Sequence, residues 1–312
     1  MAKAIAHPNI ALIKYWGKAD VDKNIPATPS LSITLDKLTT ETEVTPSDLD
    51  IFLLNGKEAD DQKIADYLEK LRHSFDIPPI KIRTENNFPT AAGLASSASG
   101  FAALITAINA QFNLRLDPPA LSTWARIGSG SAPRSLLGGV VTLEDPDWQA
   151  VQLLEKDAWD LSVVIAITEV APKKVSSSLG MQVSAATSTF YDAWVKTAPM
   201  DLAMAKLAME ARDFEALATA SEQSCLKMHA VMLASSPGLI YWNGATANCL
   251  HQVRQLRAQG VPVFFTVDAG PQVKAVCLTE CATTVADALS AVADVKSVVT
   301  TGLGNGARVV HS

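Results

Sequence analysis

The segment NFPTAAGLASSASGFAA, residues 87–103, holds six alanines and three serines in seventeen positions and no lysine. Its small-residue crowding suits a phosphate-cradling loop, yet it matches neither G-x-x-x-x-G-K-[ST] nor G-x-G-x-x-G. Phe88-Pro89 closes a strand, Gly93 permits a positive φ, and Ser96 and Ser97 can cap the helix that follows. A helix N-terminus offers unpaired N–H groups and partial positive charge, so it suits phosphate without a lysine. Side chains as small as Ala91, Ala92, Ala95 and Ala98 let a phosphate approach the backbone closely. Taken alone, the stretch could equally be a tightly packed strand-to-helix turn.

Working outward, residues 5–15, 30–35, 40–45 and 51–54 read as strands, the last ending at the turn signal Asn55-Gly56. A helix is expected over 61–75, where Ile64, Tyr67, Leu68, Leu71 and Phe75 recur at helical spacing. Pro78-Pro79 stops it, and 80–84 is a further strand. Helices are expected at 97–112 and 120–127, and strands at 138–143 and 161–168. Residues 176–196, 200–228 and 242–258 read as helical, the last stopped by Gly260 and Pro262. Strands at 263–267 and 273–278, a helix to about residue 293 and short strands near Val295 and Val309 complete the chain. Strands and helices in runs favour an α+β class with two lobes. The change of texture over TEVAPKKVSSS divides 1–172 from 173–312.

With 312 residues and 48% apolar composition, the chain can bury a large core. A net charge of −6 and a pI near 5.4 argue against nucleic acid or an anionic membrane as partner. The longest apolar runs are strand-sized, which excludes a membrane-spanning helix. The N-terminus carries polar residues too early for a secretory h-region, so the expected compartment is the cytoplasm. Cys225, Cys249, Cys277 and Cys281 lack C-x-x-C spacing, and buried reduced thiols are expected.

Three further segments can carry chemistry. GSGSAPRSLLGG, residues 128–139, sets Arg134 behind small, flexible residues, and arginine grips carboxylate or phosphate through two parallel hydrogen bonds. HPNIALIKYWGKAD, residues 7–20, places Lys14 in an apolar strand and Lys18 beyond an aromatic pair and a glycine. A lysine in a strand is ordinarily its solvent face, but two bracketing such a group suit an anionic ligand. VFFTVDAGP, residues 263–271, leaves Asp268 at the tip of an apolar strand, as a turn cap or a catalytic carboxylate.

The order NIALIKYWGK, PTAAGLASSASG, SGSAPRS, DAGP resembles the diphosphomevalonate decarboxylase family of the GHMP kinase superfamily, over essentially the whole chain. PTAAGLASSA resembles that superfamily's P-x-x-x-G-L-x-S-S-A phosphate loop, within residues 88–100. The other three segments together are specific to the decarboxylase branch. The resemblance implies a two-lobed GHMP kinase fold, with an N-terminal lobe like ribosomal protein S5 domain 2 and a ferredoxin-like α/β sandwich as C-terminal lobe. It implies ATP-dependent conversion of mevalonate 5-diphosphate to isopentenyl diphosphate, ADP, phosphate and CO2, with Mg2+, in a cytoplasmic homodimer.

By motif, Asp268 would be the base or orienting carboxylate for the 3-hydroxyl, and Arg134 would hold the substrate carboxylate. Lys14 would stabilise the transferring phosphoryl group, and Ser97 would meet the nucleotide phosphates and the metal. Ala91, Ala92, Gly93, Leu94, Ala95, Ser96, Ser97 and Ala98 would bind the nucleotide. Tyr15, Trp16, Gly17 and Lys18, with Ser129, Gly130, Ser131, Ala132, Pro133 and Arg134, would line the substrate site, supported by Asn9. Ser177, Ser178 and Lys63 would reach the substrate phosphates.

Three positions depart from the family's commonest pattern. Pro133 replaces cysteine in S-G-S-A-C-R-S, Gln272 replaces asparagine in D-A-G-P-N, and Thr28-Pro29-Ser30-Leu31-Ser32 stands for N-S-S-L-S. None removes a catalytic group; the last two bear on substrate fit. Competing readings are a mevalonate 5-phosphate decarboxylase, a 3-kinase that does not decarboxylate, and a non-catalytic isoprenoid-phosphate sensor. A sensor would have lost the acid, the lysine or the arginine, and all three are present.

Overall fold

A computed structural model describes residues 1–88, 95–171 and 174–310. Strands β1 (Ala2–Ala6), β2 (Asn9–Ile13), β3 (Lys18–Asp20), β4 (Ile25–Pro26), β5 (Ser30–Thr34), β6 (Thr40–Pro46), β7 (Ile51–Leu54) and β8 (Lys57–Glu58) precede helix α1 (Gln62–Arg72). Next come β9 (Ile80–Asn86), α2 (Ser96–Gln111), α3 (Pro118–Gly128), a 3-10 turn at Ala132–Ser135, β10 (Val140–Glu144) and β11 (Gln149–Leu154). The second half holds β12 (Leu161–Ile167), α4 (Ser177–Thr187), α5 (Tyr191–Ala211), α6 (Phe214–Leu233) and α7 (Gly244–Ala258). β13 (Val263–Val267), β14 (Val273–Leu278), α8 (Ala282–Ser290), β15 (Ser297–Gly302) and β16 (Arg308–Val310) follow.

The strands form a six-stranded sheet ordered β16-β1-β6-β9-β7-β8, a four-stranded sheet β11-β10-β5-β2, a second four-stranded sheet β13-β14-β12-β15 and the ribbon β3-β4. The expected α+β, two-lobed class holds. β12 hydrogen-bonds to β14 and β15, while β16 returns to β1, so both sheets draw strands from across the 168–176 break.

The single strand expected over 5–15 is two. Pro8 has no N–H to donate to a ladder, and at this point the chain leaves the six-stranded sheet as β1 and enters the four-stranded sheet as β2. Helix was expected to break between 196 and 200. Instead α5 runs through Pro199, at an exposed position, while Trp194, Ala198, Leu202, Ala205 and Met209 bury the opposite face. Tertiary burial of that stripe outweighs the roughly 3 kcal/mol that an interior proline costs a helix.

Strand β12 shows how the core is divided. Leu161, Val163, Ile165 and Ile167 join Leu202, Met209 and Leu217 of α5 and α6 in one cluster, together with Ile10, Leu12 and Ile33 of the neighbouring sheet. Val164 and Ala166, on the alternate face, pack with Val253, Leu256, Val285 and Leu289 of α7 and α8. A third cluster sets α1, α2 and α3 against the six-stranded sheet through Phe101, Leu104, Ile105, Ile80 and Ile82. Helices α5 and α6 therefore lie between two sheets, and this clamp brings β2 and β13 to opposite walls of one cleft.

Candidate active site

β2 runs out at Ile13, and Lys14 follows with its amide donating to Ser224 Oγ of α6 at 2.9 Å. Thr266 of β13 donates its hydroxyl to the Ala11 carbonyl at 3.1 Å, tying the same strand to the facing lobe. Asp268 stands just past the end of β13. Lys14 Nζ donates to Asp268 Oδ1 at 2.5 Å, and Lys274 Nζ of β14 donates to Oδ2 at 3.0 Å. Both lysine side chains are 1% exposed, whereas the carboxylate is 25% exposed and opens to the cleft. Burial alone would raise the Asp268 pKa, but the two ammonium charges and their hydrogen bonds outweigh it and hold the carboxyl well below the usual carboxylate range.

Arg134 sits in the 3-10 turn, 2% exposed. Its Nε donates to Ser32 Oγ at 3.1 Å and its Nη1 to Ser30 Oγ at 2.6 Å. The two serines are i, i+2 on β5 and so share one face of the strand. Burial brings the guanidinium pKa down to about 10, with the nearby Tyr15 and Asp268 opposing that shift, so it stays charged at neutral pH. Among the described residues Arg134 makes no ion pair, which leaves a fixed buried cation beside the cleft. Asn9 positions the same turn, donating to the Ser131 carbonyl at 3.1 Å and to Ser135 Oγ at 2.8 Å.

A cavity of about 570 Å³ joins these groups. Asn9, Lys14, Tyr15, Trp16, Lys18, Lys63, Ala95, Ser96, Ser97, Ser129, Gly130, Ser131, Arg134, Ser177, Ser178 and Asp268 all border it. Gly17, Ala98, Ala132 and Pro133 stand behind its wall. A side chain at Gly17 would run into Tyr191, and Gly17 has φ +108°. Ala98 and Ala132 are wholly buried, and Pro133 is buried where it opens the 3-10 turn. Ala91, Ala92, Gly93 and Leu94 lie outside the described residues. Trp16 shows only an edge to the cavity, since it is 2% exposed and its Nε1 donates to Ser184 Oγ at 3.0 Å.

Two helix N-termini point at this space. At α2 the sequence expectation needs correcting: Ser96 and Ser97 lie inside the first turn, and the cap is Ala95, left-handed at φ 55° with no side-chain hydrogen bond. Ala95 has no side-chain oxygen to cap the helix, its carbonyl accepts from the Ala98 amide at 2.9 Å, and Ala95, Ser96 and Ser97 border the cleft. Ser97 Oγ lies 3.4 Å from Ser129 Oγ, which is 3.3 Å from Ser131 Oγ, so a row of hydroxyls crosses from one loop to the other. At α4, Ser176 is a conventional cap, accepting from the Leu179 amide at 3.2 Å, and Ser177 and Ser178 occupy the first turn. Lys18 and Lys63 edge the far end. Each has its pKa lowered by its surroundings and, secondly, by a neighbouring ammonium: Lys70 for Lys18, and Lys18 for Lys63.

Sequence reasoning missed Lys274, and it named Ser30 and Ser32 only in a stretch bearing on substrate fit, without their contact to Arg134. Lys274 interrupts the apolar VKAVCL as Lys14 interrupts NIALIK, but lacks the aromatic pair and second lysine that single out Lys14. The departures sort themselves by position. Gln272 is fully buried and accepts from the Thr168 amide at 2.6 Å, so it braces β12 and lies away from the cavity. Thr28 Oγ1 accepts from the Trp16 amide at 3.4 Å and steadies the segment after Lys14.

Helix ends from both lobes aimed at one cleft are the arrangement of the GHMP kinase class. Residues 6–150 match the diphosphomevalonate decarboxylase-like N-terminal domain, and 163–308 the mevalonate 5-diphosphate decarboxylase C-terminal domain. The diphosphomevalonate decarboxylase of Candida albicans is 38% identical over 298 residues, covering 86% of this chain and 82% of that one. The crystal structure of mevalonate diphosphate decarboxylase from Staphylococcus aureus superposes with a TM-score of 0.93 at 38% identity, covering 99% and 98% of the two chains. A solved complex of MDDEF with MVAPP, AMPPCP and magnesium gives 0.92 at 36% identity, covering 100% and 99%. The chain belongs to the diphosphomevalonate decarboxylase family.

Proposed function

We propose that this enzyme uses ATP to phosphorylate the 3-hydroxyl of mevalonate 5-diphosphate and then expels phosphate with CO2, leaving isopentenyl diphosphate. The observation that carries this reading is the meeting of Asp268, Lys14 and Arg134 on one cavity. A tertiary hydroxyl is a poor leaving group, and phosphorylation makes it a good one. As the C3–O bond breaks, the electrons of the C1–C2 bond form the C2–C3 double bond and the carboxylate departs as CO2.

Asp268, held ionised, accepts the hydrogen bond of the 3-hydroxyl and aims its oxygen at the γ-phosphorus. A carboxyl so acidic is a weak base, and that suffices for a loose phosphoryl transfer, where proton removal is late. Lys14 stabilises charge on the moving phosphoryl group. Arg134, locked by Ser30 and Ser32, holds the substrate carboxylate in line with the breaking bond. The amides of α2 take the nucleotide phosphates, and those of α4 with Ser177 and Ser178 take substrate phosphate. Lys18 and Lys63 add two positive charges at the far end, which favours a diphosphate over a monophosphate.

The described residues hold no group of three or more His, Cys, Asp or Glu that could hold a metal ion, whereas the oxygen donors at the cavity, Ser97 and Asp268, fit Mg2+, which takes most of its ligands from nucleotide phosphates and water. Ser97 would contribute its hydroxyl to the ion, which when bound neutralises charge on the transferring phosphate.

The enzyme acts as a cytoplasmic homodimer. Its four cysteines are free, which suits a reducing compartment. Met200, Met204 and Leu207 are exposed along one side of α5, an apolar stripe that a second copy would cover.

Mevalonate, its 5-phosphate and its 5-diphosphate, each supplied with ATP, test the reading. Only the diphosphate is expected to yield CO2, ADP and phosphate in equal amounts at high efficiency. ADP without CO2 would make the protein a kinase, and preference for the monophosphate would remove the assignment of Lys18 and Lys63.

A further inference from the structure

Lys274 is fully buried on β14, cross-strand from Thr266 of β13 and Ile165 of β12. Its strand neighbours Val273 and Ala275 face the cluster under α7 and α8, while Lys274 shares the face of Val276, which is packed toward α5, α6 and β2. A buried ammonium costs several kcal/mol unless it is compensated, and nothing in a strand that otherwise reads valine, alanine, valine, cysteine and leucine calls for one. Its Nζ reaches out of that face to Asp268 Oδ2 at 3.0 Å, while Lys14 holds Oδ1 at 2.5 Å. The two carboxylate oxygens thus have separate cations, from different lobes.

Those cations have different surroundings. Lys14 borders the cavity, so its ammonium can turn to a phosphoryl group there, whereas Lys274 does not border it. If Lys14 were the only partner, its turning away would free the carboxylate to rotate. We infer that Lys274 is a positioning residue: it pins Oδ2 of Asp268, so that Oδ1 stays aimed at the substrate alcohol when Lys14 turns to the phosphoryl group. The inference rests on the decarboxylase reading given above. Lys274 touches neither substrate nor nucleotide, and its effect passes through Asp268.

The charged and titratable groups around the carboxylate are few. Lys14 lies beyond β2, Lys274 on β14, Arg134 in the 3-10 turn, and Cys225 and His229 on α6. Removing Lys274 takes away one of two adjacent cations, so Asp268 must protonate at a higher pH.

The test measures CO2 release between about pH 5 and 9 for the wild type, Lys274→Met and Lys274→Arg. In Lys274→Met, kcat is expected to fall by about tenfold or more, with KM for both substrates within about threefold of wild type. The acid limb of kcat is expected to move up by about one pH unit or more, and Lys274→Arg to restore most of both. An unchanged kcat, or a fall in kcat with the acid limb unmoved, would overturn the inference. Should Lys274→Met fail to fold, Lys274→Gln carries the same measurement, and failure of both to fold would make the residue structural and overturn it as well. A wild type that releases no CO2 would sink the decarboxylase reading instead, so the two failures are distinguishable.

Discussion

Asp268, Lys14 and Arg134 come from separate parts of the chain; Asp268 and Lys14 hold one another, while Arg134 is held by groups that do no chemistry. Among the described residues Arg134 has two serine hydroxyls and no carboxylate as partners, which fixes its orientation without neutralising it. Arg134→Gln removes that buried cation, and kcat/KM for decarboxylation is expected to drop by about 10²-fold or more, with ATP binding little changed. Ser30→Ala with Ser32→Ala should cost about tenfold through kcat, because the guanidinium remains but is no longer aimed. Steady-state kinetics on carboxyl-labelled substrate reads both, and a normal rate in Arg134→Gln would remove its role. At this scale the acid, the arginine and the first lysine were legible because each breaks a local pattern. Lys274 breaks its strand in the same way, but with no glycine or aromatic neighbour to mark it. Ser30 and Ser32 carry no signal alone, and only the fold shows which face of β5 meets the turn.

Among elements, the loop from 129 to 131 depends on close approach. A Cβ at Gly130 would collide with the hydroxyl of Tyr15, itself buried at the cavity edge, so Gly130→Ala must displace one wall of the substrate site. The expected result is a rise of about tenfold in KM for the phosphorylated substrate, with a melting temperature near that of wild type. An unaltered KM would separate this loop from the site. The stripe on α5 makes a second prediction: with the proposed dimer seated there, Met204→Lys should give a monomer's mass in light scattering, whereas an unchanged mass would remove the stripe as the interface. Periodicity disclosed the buried stripe of α1 but not the ends of α5, where packing against two sheets overrides a proline. It also missed β11, whose residues are mostly half-buried and do not alternate cleanly. The expected strand ran through Pro8 unbroken, because the change of sheet there depends on long-range pairing.

The stability of the whole molecule depends on pH through a buried histidine. His229 is 4% exposed on α6, near the Val267 carbonyl at 3.2 Å and beside Trp242 with ring centroids 4.5 Å apart. Burial brings its pKa down to about 3, only partly opposed by that carbonyl. The unfolded chain binds this proton at about 6.5 and the folded chain does not. Its contribution to stability is therefore fully present above about pH 6.5 and is lost as pH falls toward 3, at up to about 1.4 kcal/mol per unit. The depressed carboxyl of Asp268 adds a loss of the same sign once pH drops below the ordinary aspartate range. Urea unfolding should show stability declining between about pH 7 and 5, and His229→Gln should flatten that decline. An equal slope in the variant would place the proton uptake elsewhere.

The central claim is that one carboxylate, Asp268, governs phosphorylation of a tertiary alcohol whose loss as phosphate releases CO2. The measurement that bears on it most directly is release of labelled CO2 from carboxyl-labelled mevalonate 5-diphosphate and ATP, by the wild type and by Asp268→Asn, with ADP counted in the same reactions. The wild type is expected to give one CO2 per ADP, and Asp268→Asn to lose about 10³-fold or more in both products while still binding a nucleotide analogue. Labelled CO2 released at the wild-type rate by Asp268→Asn would contradict that claim.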